Sequence, residues 1–113
     1  NDIFKVERFI RAVTLPFDGA FSFIGKQKIQ IYRANIFYTD IEMHQFKQAL
    51  FGEICDVFPN GKFLVRLNGG VLIVHDFDLN NNSISLIKKG NIFHSPEGEI
   101  KRFNINKYGY YDN

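Results

Sequence analysis

One cysteine, Cys55, one methionine, three prolines and no tryptophan are all that the 113 residues carry of those types. A lone cysteine excludes both an internal disulfide and a cysteine-rich zinc site, and it fits a reducing compartment, so a cytoplasmic protein is expected. No apolar run approaches the roughly 20 residues that span a bilayer, and no basic stretch leads into an apolar block with a small-residue cleavage site. An excess of one charge is also lacking: 14 Lys and Arg stand against 12 Asp and Glu, a net +2, with a pI near 8.7. That falls short of the pI above about 9 typical of a dedicated nucleic-acid binder. Hydrophobic residues at 45% and charged residues at 23% lie near globular averages, which excludes disorder, collagen-like repeats and coiled coil. A chain of this length builds one core and therefore one domain.

Aromatic residues are what the chain has in quantity. Thirteen Phe and five Tyr in a small domain favour strands over helices. Residue 1 is Asn rather than Met and a helical pattern begins almost at once, so the sequence reads as a piece of something longer.

Along the chain, Ile3, Val6, Ile10 and Val13 recur at helical spacing, Phe4 and Phe9 widen the stripe, and Lys5, Arg8 and Arg11 lie on the other side. Asp2 is placed to cap this helix and Pro16 to stop it. The period then changes to two. Phe21 and Phe23 alternate with Ala20, Ser22 and Ile24, and Gly25-Lys26 turns into a long strand from Lys28 to Tyr38. Ile29 and Ile31 share one parity while Ile36 and Tyr38 share the other, which predicts a β-bulge near Arg33-Ala34. Thr39 to Phe51 shows no alternation and reads as a loop with room for one helical turn. Gly52–Phe58 and Phe63–Leu67 flank Pro59-Asn60-Gly61-Lys62, where the Asn-Gly pair tolerates the positive φ of a tight hairpin. Asn68-Gly69-Gly70 makes another turn into a strand from Val71 to Leu79, with Val71, Ile73, His75, Phe77 and Leu79 on one face. After Asn80-Asn81-Asn82, the stretches Ile84–Ile87, Gly90 and Asn91–Phe93 suggest one short final strand. The expected fold is mainly β: a small open Greek-key (OB-like) barrel of five to six strands with a short N-terminal helix, its core at about 3–93 and a C-terminal extension at 94–113.

Candidate functional residues are few. His75, Asp76 and Asp78 look like a metal or acid/base cluster, but alternation turns His75 away from the aspartates, which share the other face about 7 Å apart. His44 and His94 have no ligand spacing to a partner. Cys55 alternates with Val57 and reads as a small core hydrophobe. Gly69-Gly70 opens no helix and so cradles no phosphate. Phe21, Phe23, Phe63 and Phe77 share strand faces with aliphatics and are expected in the core, which leaves Tyr32, Tyr38, Tyr108, Tyr110 and Tyr111 as surface candidates for base stacking. Positive charge concentrates in the first third. Lys5, Arg8, Arg11, Lys26, Lys28 and Arg33 stand against Asp2, Glu7 and Asp18, and these six are the candidate contacts for an anionic partner.

Particular residues carry a family resemblance. Phe9-Ile10-Arg11-Ala12, Pro16-Phe17-Asp18-Gly19-Ala20-Phe21, Gly25-Lys26-Gln27-Lys28-Ile29 and Tyr32-Arg33-Ala34 together resemble the opening of the C-terminal domain of folate-dependent formyltransferases. Gly52-Glu53-Ile54, Gly70-Val71-Leu72 and Gly90-Asn91-Ile92-Phe93 are similar to the family's later strand starts. The likeness runs from about Val6 to Phe93, its first third being the specific part. Asp18 stands where the family usually has proline, and the loop before Gly52 lacks a proline often found there.

The resemblance implies an OB-like barrel that assists a separate N-terminal Rossmann-like domain. In the family that domain holds the catalytic asparagine, histidine and aspartate and the folate loop, so no residue of this chain is expected to be catalytic. The parent enzyme would transfer a formyl group from 10-formyltetrahydrofolate to an amine, on methionyl-tRNA or on an amino sugar nucleotide. For the first acceptor the domain would help hold tRNA; for the second it would pack or form a homodimer. The near-neutral charge and the aromatic end of the chain favour the second. A free-standing OB-like module for single-stranded nucleic acid or oligosaccharide, and a structural domain with no ligand, are the rival readings.

Overall fold

Residues Ile3–Val13 form a helix, α1, because their apolar positions fall on one stripe and Asp2 caps its start. The Asp2 carboxylate accepts the backbone N–H groups of Phe4 and Lys5, each at 3.0 Å, satisfying two donors that the first turn leaves unpaired. Those hydrogen bonds, with that from Lys5 foremost, hold the Asp2 carboxyl below its ordinary value. Ile3, Ile10 and Val13 are buried, and Val6 and Phe9 pack against them. Phe4, expected to widen the stripe, is instead exposed, since it sits about 100° around the helix from Ile3. The computed structural model describes residues 2–13, 20–79 and 84–94, so the predicted stop at Pro16 and the turn that follows it lie outside the described residues.

Six strands follow: β1 (Ala20–Ile24), β2 (Gln27–Thr39), β3 (Ile54–Val57), β4 (Phe63–Leu67), β5 (Gly70–Asp78) and β6 (Phe93–His94). They form one sheet in the order β3-β4-β5-β2-β1-β6, with every neighbouring pair antiparallel. The Gly25-Lys26 hairpin pairs Ile24 with Gln27. The bulge predicted near Arg33-Ala34 is present as register shifts on both sides of Arg33. It lets Ile29 and Ile31 before it, and Ala34 and Ile36 after it, all face the same core although their parities differ. A second shift between Ile36 and Tyr38 turns Tyr38 to the opposite side, into another apolar cluster.

The sheet curls until its edges meet. Glu53 and Ile92 form an antiparallel bridge. The N–H of Phe93 donates to the Gly52 carbonyl at 2.8 Å, the N–H of Ile54 to Asn91 at 2.8 Å and the N–H of Gly90 back to Ile54 at 3.0 Å. Gly52 makes this approach possible: at φ 93°, a Cβ there would lie 2.6 Å from the Phe93 carbonyl oxygen. The six-stranded half-barrel so stitched leaves little edge open. It is the mainly β architecture with one short helix that the sequence predicts.

Apolar packing lies on both faces of the sheet. Inside, α1 contributes Ile3, Ile10 and Val13 to a cluster with Ile29, Ile31, Ile54, Phe63, Val65, Leu72 and Val74. Outside, Tyr38, Cys55, Leu64 and Val71 pack with Phe46, Ala49, Phe58 and Ile73. The expected apolar face of β5 is therefore divided: Val71 and Ile73 join the outer cluster, Phe77 and Leu79 pack against the inner one, and the even positions Leu72 and Val74 are buried in the inner one too.

The segment between β2 and β3 is a series of turns without a helix, and Phe46 takes φ 66° there. β3 is shorter than the predicted Gly52–Phe58. In the following turn only Gly61, at φ 93°, has a positive φ. The Gly61 N–H donates to the Phe58 carbonyl at 2.9 Å and the Asn60 side chain accepts the Lys62 N–H at 3.0 Å. Asn60 thus serves as an acceptor, not as a left-handed residue. The strand expected to begin at Ile84 is replaced by a single 3-10 turn over Ile84–Leu86, held by the Asn91 side-chain amide donating to the Leu86 carbonyl at 2.8 Å. No helix among the described residues is long and apolar enough to cross a membrane.

Candidate functional site

The β1–β2 hairpin has an outer face that sequence reasoning misassigned. Ala20, Ile24, Ile29 and Ile31 take the inner face. Phe21 pairs with Gln30 and Phe23 with Lys28 across the register, so these four share the outer one. Phe21 and Phe23, expected in the core, are half-buried there, with rings edge to face at 6.1 Å. Their parity alone was ambiguous, because Ser22 and Ile24 share the other face and either could have been the apolar side. Phe63 and Phe77 do join the core, Phe63 fully buried, and their rings meet at 5.0 Å.

Charge is built into this outer face. The Lys28 ammonium stands 4.7 Å above the Phe21 ring, a cation–π contact. His94 of β6 stacks on Phe23 at 6.4 Å, and its Nε2 donates to the Gly25 carbonyl at 3.1 Å. Lys26 is exposed in the adjoining turn. Aromatic faces beside ammonium groups suit planar bases and phosphates alike.

The other candidate cations stand elsewhere. Lys5, Arg8 and Arg11 are exposed on α1, whose apolar side seals the barrel interior. Arg11 grips Glu7 through two hydrogen bonds, at 2.8 and 3.1 Å. Arg33, in the β2 bulge, pairs with Asp76 at 2.9 Å. Two of the six are therefore held by carboxylates of this chain, while Lys26 and Lys28 share the hairpin.

His75, Asp76 and Asp78 do not form a joint site. His75 Nε2 meets the Asn35 side-chain oxygen at 2.9 Å, Asp76 holds Arg33, and among the described residues no group of three or more His, Cys, Asp or Glu is placed to hold a metal. Burial, then the nearby Lys62 and Arg33 charges, pulls the His75 pKa below its ordinary value. Cys55 is buried in the outer cluster, and burial pushes its thiol up to about 11, so it is protonated and unreactive near neutrality. His44 is exposed in the loop. Tyr38, expected at the surface, is buried with its hydroxyl donating to the Gln45 carbonyl. Tyr32 is half-buried, and Tyr108, Tyr110 and Tyr111 lie outside the described residues.

Sequence reasoning passed over Arg66. It is 4% exposed, donates to Asp40 at 2.9 and 3.2 Å and to the carbonyls of Leu67 and Gly70 at 2.9 and 3.1 Å, and lies over the Phe51 ring at 5.4 Å. The available signal was an arginine in the otherwise apolar strand Phe63–Leu67, since a charge on a buried strand requires a partner.

Comparison with known proteins bears on what these surfaces serve. A family model described as the C-terminal domain of formyl transferases matches residues 1–89. A methionyl-tRNA formyltransferase from Treponema denticola is 36% identical over 70 residues. That stretch is 62% of this chain and 21% of the relative, so the chain spans about a fifth of the length of this relative.

Proposed function

Because the chain belongs to the formyltransferase C-terminal domain family, we propose that it is the accessory domain of an enzyme that moves a formyl group from 10-formyltetrahydrofolate to an amine. In this reading it holds the acceptor and leaves the chemistry to another domain. Formyl transfer needs a group to take the proton of the attacking amine. Among the described residues the nearest approach to one, His75 with Asp76, has its partners committed to Asn35 and Arg33.

The acceptor proposed is methionyl-tRNA. The observation that carries this choice is the outer hairpin face, where Lys28 lies over Phe21 and Phe23 stacks with His94. Such a face meets phosphate with ammonium and a splayed base with a ring. The name of the relative points the same way, against the argument for a sugar nucleotide from net charge. Lys5 and Arg8 on α1 would supply further phosphate contacts, with Arg11 and Arg33 contributing less because each already faces a carboxylate.

Assays with 10-formyltetrahydrofolate and methionyl-tRNA test this reading. The full-length polypeptide carrying these residues should formylate the tRNA, and the 113-residue chain alone should not. Turnover by the pure chain, abolished by His75→Ala or Asp76→Ala, would overturn it.

A further inference from the structure

The segment from Asp40 to Phe51 is held in a fixed shape yet turns its apolar side chains outward. Ile41 is 94% exposed, Leu50 61%, Phe51 59% and Met43 45%, and Phe37 at the adjoining end of β2 is 48% exposed. Only Phe4 and Ile92 are other large hydrophobics so exposed among the described residues. Arg66 clamps Asp40 at one end and covers Phe51 at the other. Glu42 accepts the Thr39 N–H at 2.8 Å, Glu53 accepts the Leu50 N–H at 2.9 Å, and Tyr38 ties down Gln45. A tethered loop with an apolar outer side has already met much of the ordering cost of binding, and clustered exposed apolar residues mark a contact surface.

We propose that this surface seats the domain that precedes this one in the parent enzyme, an inference that rests on the accessory-domain reading above. The place of Asp2 and Ile3 in the fold argues for that occupant. Asp2 bridges Asn68, and the Ile3 N–H donates to the Asn68 carbonyl at 2.8 Å. The Asp40 N–H donates to Gly69, the next residue of the same turn, also at 2.8 Å. Chain arriving at Asp2 therefore arrives beside the first residue of the loop. The family is that of a C-terminal domain, and about four-fifths of the relative lies outside the matched stretch. A nucleic-acid occupant does not suit the surface. Its carboxylates Asp40 and Glu42 are engaged internally, Lys47 is its one lysine, and its exposed bulk is aliphatic and aromatic.

Hydrogen exchange of the loop amides in the full-length polypeptide, compared with the 113-residue chain, tests the proposal. Exchange across 40–51 should slow by about tenfold or more in the longer protein, and Ile41→Ser with Leu50→Ser should remove the difference. Those side chains are 94% and 61% exposed in the chain alone, so its thermal midpoint should not change with the variant and folding is controlled for. Unchanged loop exchange in an enzyme that does formylate tRNA overturns the proposal and leaves the accessory reading standing. Loop protection in a polypeptide without formyl transfer overturns that reading and retains the docked domain. Sedimentation of the 113-residue chain as a dimer, lost in the variant, overturns the proposal in favour of a second copy.

Discussion

Arg66 and Asp40 form a two-point ion pair at 2.9 and 3.2 Å across a loop boundary, the arginine side chain 5% exposed and the aspartate 26%. Arg66 shares a face of β4 with Leu64 and is 4% exposed, so an uncompensated charge there would be costly. Asp40→Ala leaves it with the Leu67 and Gly70 carbonyls and the Phe51 ring but no countercharge, and a loss of about 3 kcal/mol is expected in urea unfolding. The exposed Glu7–Arg11 pair is the control: Glu7→Ala should cost under about 0.5 kcal/mol. Equal losses for the two would mean the buried pair does not hold the loop.

The barrel seam depends on Gly52. Its φ is 93°, and a methyl group added there would sit 2.6 Å from the Phe93 carbonyl oxygen. Gly52→Ala should therefore destabilise by more than about 1 kcal/mol and speed amide exchange at Phe93, whose N–H donates to residue 52. Gly25→Ala, with nothing within 4 Å of its Cβ position, should cost less.

Cys55 gives an alkaline signature. Its thiol, pushed up by burial to about 11 from 9.0, stays protonated in the folded chain after the unfolded chain has ionised. Stability is therefore full below about pH 9 and falls as the pH rises toward 11. Cys55→Ala should flatten that fall, and disulfide-exchange reagents at about pH 8 should label native Cys55 far more slowly than the unfolded chain.

His75 gives an acid one. Burial lowers its pKa below 6.5, so the unfolded chain binds the proton first, and stability present above about pH 6.5 is lost as the pH falls. In His75→Gln, unfolding free energies from about pH 7 to 5 should decline less than in the parent chain. An identical decline would assign the effect to other groups.

The elements were legible wherever local chemistry decides them. Asp2 before an apolar stripe, Gly25-Lys26 between alternating runs and the parity slip around Arg33 each state a backbone consequence directly. What failed to show in the sequence depends on packing, register shifts and side-chain caps that no residue period reports. Which side of Phe21-Ser22-Phe23 faces inward is set by α1 and β5 filling the interior. Tyr38 is buried because a second bulge turns it under the loop at Gln45, and Ile84–Leu86 forms a turn because Asn91 caps it. At the candidate site, the cations could be named from sequence, but their partners could not. Glu7 lies one helical turn from Arg11 and was within reach of inspection, whereas the Asp76–Arg33 pair needs the β2–β5 register.

Whether the hairpin face and the α1 cations hold tRNA is decided by titrating tRNA against the 113-residue chain at two salt concentrations. A Kd tighter than about 100 μM at low salt is expected, weakened by Lys26→Ala with Lys28→Ala and by Lys5→Ala with Arg8→Ala. Each lost phosphate contact should reduce the salt slope by somewhat under one unit, and Phe21→Ala should weaken binding without changing that slope. A Kd weaker than about 100 μM at low salt, unchanged in all these variants, would mean that neither surface serves tRNA.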